Sequence, residues 1–150
     1  MNYVYDSNIL VYKIRGHAAL EKLEETTIDQ DEDNLKIISI VTKAEMESLA
    51  SQFGWGNHKR QKLRELLNQF LIVPIDSQQI VDAYVELDTF SQGKHSTKTL
   101  KQSSRNTGKN DLWIAATTVV TGSTLVTSDE DFGHFNKTFF EIIKLKLPVK

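Results

Sequence analysis

Apolar residues along this chain fall into two rhythms. Short, mainly apolar runs read as strands: NYVY (2–5), LKIISI (35–40), LIVPI (71–75), STLVTS (123–128) and FFEIIKL (139–145). LKIISI is apolar almost without interruption, as a strand buried on both faces of a parallel sheet must be. Between the runs the spacing turns helical. SNILVYKIRG (7–16) carries Ile9, Leu10, Tyr12 and Ile14, with Gly16 as its stop, and HAALEKLEETT (17–27) is a second helical piece. VTKAEMESLASQF (41–53) is expected to be a helix with Thr42 near its N-cap, and HKRQKLRELLNQF (58–70) is amphipathic through Leu63, Leu66, Leu67 and Phe70. DSQQIVDAYVELDTFSQ (76–92) is a helix capped by Asp76 or Ser77, and DLWIAATTVVTG (111–122) is a helix ending at Gly122. Strands alternating with helices predict one α/β domain over residues 1–150, a three-layer α/β/α arrangement around a mainly parallel sheet. The long polar stretch from Gly93 to Gly108 is expected to be a loop or a partly ordered helix.

Composition changes this picture little. With 39% hydrophobic and 25% charged residues in 150, the chain is built like an ordinary globular domain. It has no cysteine, which excludes disulfides and thiolate metal sites. Its apolar runs are too short to span a membrane, and MNYVYDSNIL lacks the basic start of a signal peptide, so a cytoplasmic protein is expected. Charge is segregated, although the net value is only -2. Glu21 to Asp33 holds seven acids and one lysine, whereas Thr89 to Asn110 holds Lys94, Lys98, Lys101, Arg105 and Lys109 and no acid. Local basic surface of this kind can hold a polyanion even when the whole protein is near neutral.

In parallel α/β sheets, ligands bind beyond the carboxyl ends of the strands. Asp6 follows the first strand, Asp129 and Asp131 follow TLVTS, Glu45 lies in the first turn of the helix after IISI, and Asp111 opens a helix beside Asn110. Each acid alone could be an ordinary helix cap or first-turn residue. Together, acids from four distant segments converge on one edge of the sheet. Clustered carboxylates raise one another's pKa unless a cation neutralises them, and an all-oxygen set suits Mg²⁺ or Mn²⁺.

Other motifs fail on inspection. DQDEDN (29–34) lacks the glycine and final glutamate of an EF-hand, GKHS lacks the earlier glycine of a phosphate loop, and there is no GxSxG. The four histidines are scattered without zinc-site spacing, with His134 the best placed to approach the acids.

These residues carry a resemblance. YDSNILVYKIRG, SIVTKAEMESLA, IVPIDSQQIVDAYVEL and NDLWIAATTVVTGSTLVTSDEDF resemble, in that order, the conserved stretches of PIN-domain proteins of the VapC-type toxin group. Ser7 stands where that group more often has threonine. The resemblance implies a Mg²⁺- or Mn²⁺-dependent endoribonuclease that is the toxin of a toxin–antitoxin pair, with RNA as substrate, an antitoxin as partner and a homodimer as the assembly. It also implies Asp6, Glu45, Asp111 and Asp129 as the catalytic acids, with Asp131 either a fifth member or a substitute for Asp129 among the metal ligands. Glu47, two positions from Glu45, should face away. Ser7, Asn8, Thr42, Asn110, Thr127 and Ser128 are candidates to orient the carboxylates or bound water. Lys98, Lys101, Arg105 and Lys109 are candidates to track substrate phosphates. A housekeeping RNA-processing nuclease and a non-catalytic RNA- or protein-binding module are the alternatives. A response-regulator-like domain would need a lysine-ended strand that does not follow in the right order.

Overall fold

The structure, a computed structural model, describes residues 1–104 and 106–146. β1 (Asn2–Tyr5), β2 (Leu35–Ser39), β3 (Leu71–Val73), β4 (Thr124–Thr127) and β5 (Ile142–Lys144) form an all-parallel sheet in the order β3-β2-β1-β4-β5. The helices are α1 (Ser7–Arg15), α2 (Ala18–Thr26), α3 (Ile40–Gln52), α4 (Asn57–Leu67), α5 (Gln78–Ser91) and α6 (Lys109–Val120). The chain lays β2 and β3 on one side of β1 and then crosses to β4 and β5 on the other. The strand order therefore reverses between β1 and β4, which opens a crevice at their carboxyl ends.

Successive residues of a strand point to opposite faces, and the core divides accordingly. Tyr3, Tyr5, Ile38 and Val126 pack with Ile9, Leu10, Met46, Leu63 and Leu66 on one face. Val4, Ile37 and Leu125 pack with Ile80, Leu87, Ile114 and Ala115 on the other. Both faces being covered explains the unbroken apolar runs. In α6 even the two buried threonines are satisfied, Thr117 Oγ1 donating to Trp113 O at 2.8 Å and Thr118 Oγ1 to Ile114 O at 2.9 Å. Gly16 ends α1 in the left-handed region, at φ 71°, where its missing Cβ costs nothing.

Several boundaries differ from the sequence expectation. α3 starts at Ile40, capped by Ser39, whose Oγ accepts from Val41 N at 3.1 Å; Thr42 is buried inside the helix instead of capping it. Glu45 is consequently in the second turn of α3, not the first. Ser77, not Asp76, caps α5. The last strand is only three residues, because Phe139 lies in a preceding turn, half-buried against the core, and Phe140 forms an isolated bridge with Asn136 and is buried. Residues 93–104 and 106–108 form a loop without helix or strand.

Part of the acidic run has a structural role. Glu24 is buried, accepts from Tyr5 Oη at 2.8 Å, and pairs with Lys13 and with Lys36 at 3.5 Å. Lys36 also reaches Asp29 at 2.8 Å. Burial and the Glu24 carboxylate push the Tyr5 phenol up, so it stays a donor. Among the described residues no helix is long and apolar enough to cross a membrane.

Candidate active site

Asp6 is where β1 becomes α1. Its extended backbone (φ -71°, ψ 155°) makes it the N-cap, and its Oδ1 accepts from Ser7 N at 2.7 Å. Its Oδ2 accepts from Thr127 Oγ1 at 2.8 Å, across the crevice at the end of β4. Asp6 is only 4% exposed. Burial pushes its carboxyl up to about 6, against the pull of these two hydrogen bonds, and Asp129 and Glu45 push in the same direction as burial.

Thr127 serves both sides of the crevice, because its Oγ1 also accepts from Asp129 N at 3.0 Å. Asp129 in turn caps the 3-10 segment Glu130–Phe135, with Oδ1 accepting from Asp131 N at 2.9 Å. This tight turn curls two acids toward the first turn of α6. One carboxylate oxygen each from Asp111, Asp129 and Asp131 lies within 4.8 Å of the others. Burial pushes the Asp111 carboxyl up to about 7, and Asp6, Asp129, Asp131 and Glu45 all add to the effect. Glu45 reaches the group from α3, where Ser7 Oγ donates to its Oε1 at 2.8 Å and lies 3.4 Å from Thr42 Oγ1.

The structure therefore brings Asp6, Glu45, Asp111, Asp129 and Asp131 within electrostatic reach of one another. Ser7, Thr42 and Thr127 stand behind them through hydrogen bonds. Glu47 faces away, exposed and 4.0 Å from Lys43. Asn8 is exposed in the first turn of α1, and no side-chain hydrogen bond ties it to the carboxylates among the described residues. Asn110 is exposed beside Asp111 and shares a groove with Glu45. Ser128 is half-buried between Thr127 and Asp129. His134 Nε2 lies 2.7 Å from Ser91 Oγ and 3.5 Å from Thr107 Oγ1, which ties the 3-10 segment to the long loop.

The basic residues are less uniform. Lys109 is exposed at the start of α6, two positions before Asp111. Lys101 lines a depression with His134, Asn136 and Lys137. Lys98 is engaged by Glu86 at 3.5 Å and lies 5.4 Å from the Phe139 ring centre. Arg105 falls outside the described residues.

Residues 3–137 match the PIN domain family model. The chain belongs to the PIN-domain family. Sequence comparison with curated proteins finds no significant match. Solved structures similar to this PIN chain include VapBC2 from Rickettsia felis, bound to a DNA fragment from its promoter. That match has 25% identity, covers 96% of this chain and 98% of that one, and has a TM-score of 0.75. VapBC-1 from nontypeable Haemophilus influenzae matches at 23% identity over 97% and 98% of the two chains, with a TM-score of 0.73. VapBC-5 from Mycobacterium tuberculosis, a member of the VapBC family of toxin–antitoxin systems, matches at 20% identity over 95% and 98%, with a TM-score of 0.61. The latter two speak to fold alone. Family and neighbours together support a VapC-like nuclease.

The donor set fits the divalent metal that PIN nucleases typically use. Every candidate ligand is a carboxylate oxygen, and burial first and the neighbouring carboxylates second raise the Asp6 and Asp111 carboxyls, a penalty on ionisation that a bound cation would relieve.

Proposed function

We propose that this chain is the toxin of a toxin–antitoxin pair, an endoribonuclease that requires Mg²⁺ or Mn²⁺ and is restrained by a cognate antitoxin protein. The observation that carries the reading is the group of five carboxylates around the β1/β4 crevice, two of them pushed well above the usual carboxylate range. Asp6, Asp111, Asp129 and Asp131 are the residues that would hold the ion. When bound, a divalent cation supplies positive charge for a phosphate oxygen and acidifies a water.

The chain's own residues do the rest. Ser7 N and Thr127 Oγ1 fix both oxygens of Asp6, so the carboxylate needs no reorganisation when substrate arrives. Glu45, turned inward by Ser7 Oγ, completes the set from α3 and accepts a proton from the water that attacks the phosphodiester, while the P–O bond to the leaving ribose oxygen breaks and that oxygen takes a proton from solvent. Lys101 and Lys109 hold flanking phosphates, with Arg105 in the same role. Lys98 contributes less, because Glu86 already engages it. A homodimer and a cytoplasmic location belong to the same proposal and rest on the family likeness.

Induced expression in a bacterial host tests this reading. The wild-type chain should arrest growth and produce discrete RNA fragments, and Asp111→Asn should do neither. Fragments without arrest would point to an RNA-processing nuclease, and arrest that persists in Asp111→Asn would refute the proposal.

A further inference from the structure

Beside the carboxylates, the solvent side of α3 and the start of α6 enclose an open groove of 430 Å³. Half-buried Val41 and Leu49 and exposed Ala44 contribute its apolar lining, and exposed Ser48, Gln52 and Asn110 contribute neutral polar groups. Glu45 is the charged residue in its lining, and Asn110 immediately precedes Asp111, so the groove opens from the carboxylate group itself. Gln52 Nε2 donates to Ser48 Oγ at 2.8 Å, which orients that amide and leaves its oxygen and second N–H available.

This resembles neither a phosphate site nor a hydrophobic docking face. A phosphate in the groove would meet Glu45 and no Lys or Arg in its lining. A purely apolar partner would cover the Gln52 carbonyl oxygen and the Asn110 amide without pairing them, at a cost comparable to a lost hydrogen bond each. A flat, neutral group with donors and acceptors on its edge fits both requirements. Single-stranded RNA offers such groups, since its unstacked bases are splayed into pockets and hydrogen-bonded along their edges.

We infer that this groove seats a nucleobase next to the scissile phosphate, with Gln52 and Asn110 hydrogen-bonding its edge and Leu49, Val41 and Ala44 contacting its face. The inference rests on the nuclease reading above and deepens it: the base in the groove makes these residues determinants of where RNA is cut.

The test is cleavage of single-stranded RNA of randomised sequence by the purified chain with Mn²⁺, with cut ends sequenced to give the base preference at each flanking position. Two variants accompany the wild type. Gln52→Ala removes one edge-binding amide from an exposed position. Ala44→Phe fills the groove and leaves every carboxylate in place. The wild type should prefer one base at one flanking position, and that preference should fall about tenfold in Gln52→Ala, as expected for losing an edge-reading side chain. It should vanish in Ala44→Phe. A preference kept by both variants, or a wild type that cuts without base preference, overturns the base site while the nuclease reading stands. A wild type that cuts no RNA overturns the nuclease reading and the base site with it.

Discussion

Replacing Asp111 by asparagine should stabilise the metal-free protein at neutral pH and remove its response to metal. In the folded chain the Asp111 carboxyl is raised from 3.8 to about 7, first by burial and then by its four acidic neighbours. A folded-state pKa above the unfolded value means that the native protein holds a proton the unfolded chain has released. Metal-free stability therefore falls as pH rises from about 4 to about 7 and stays low above that window. At about 1.4 kcal/mol per unit, the ceiling is about 4 kcal/mol. Asp111 is partly solvated, which reduces this by about half. Asparagine also forfeits the favourable charge at the N-terminus of α6, about 0.5 kcal/mol. The net expectation at pH 8 is a gain of about 1.5 kcal/mol, or about 5 °C in melting temperature for a chain of this size. Thermal melts in EDTA at pH 5 and pH 8, with and without Mn²⁺, measure it. The difference between variant and wild type should grow from pH 5 to pH 8. Mn²⁺ at a hundred times its Kd should then stabilise the wild type by about 2.7 kcal/mol and leave the variant unmoved. A variant less stable than wild type in EDTA at pH 8, or a difference independent of pH, would refute the electrostatic reasoning.

Three further outcomes follow from the same geometry. Mn²⁺ affinity, measured by isothermal titration, should rise between pH 5.5 and pH 8, because Asp6 (about 6) and Asp111 (about 7) must lose protons to bind it; a flat profile counts against both as ligands. Thr127→Val removes the donor to Asp6 and the acceptor for Asp129 N, and should cost about 1–3 kcal/mol in denaturant unfolding while weakening Mn²⁺ binding; normal binding would mean the hydroxyl does not hold the site. Glu24→Ala strands Tyr5, Lys13 and Lys36 around a buried position and should cost about 3–5 kcal/mol, with cleavage by the folded fraction intact, whereas a neutral effect would show the network to be dispensable.

The alternation of apolar runs with helical spacing made the layered architecture legible in the sequence, because covering both sheet faces forces that pattern. The strand-end rule likewise singled out Asp6, Glu45, Asp111 and Asp129 as residues that would meet. Less local features did not show. Glu24 looks like one more solvated acid in an acidic run; its partners Tyr5 and Lys13 lie 19 and 11 positions away, and only the packing of α1 and α2 into the core around Tyr5 brings them together. The choice between Asp129 and Asp131 had no sequence answer, because it depends on a 3-10 turn that delivers both to Asp111. Ser39 was hidden at the end of an apolar run, where the strand passes into α3 without a loop, and this displaced the expected cap to Thr42 and Glu45 by one turn. Ser7 was visible as a variation on a motif, but its bridge to Glu45 spans 38 positions and needed the fold.

The most direct test is cleavage of total cellular RNA by the purified chain with Mg²⁺ or Mn²⁺, beside an EDTA control and the Asp6→Asn and Asp111→Asn variants. Discrete fragments are expected from the wild type alone, and EDTA should abolish them. Equal cleavage by the variants, or cleavage that survives EDTA, would contradict the nuclease reading.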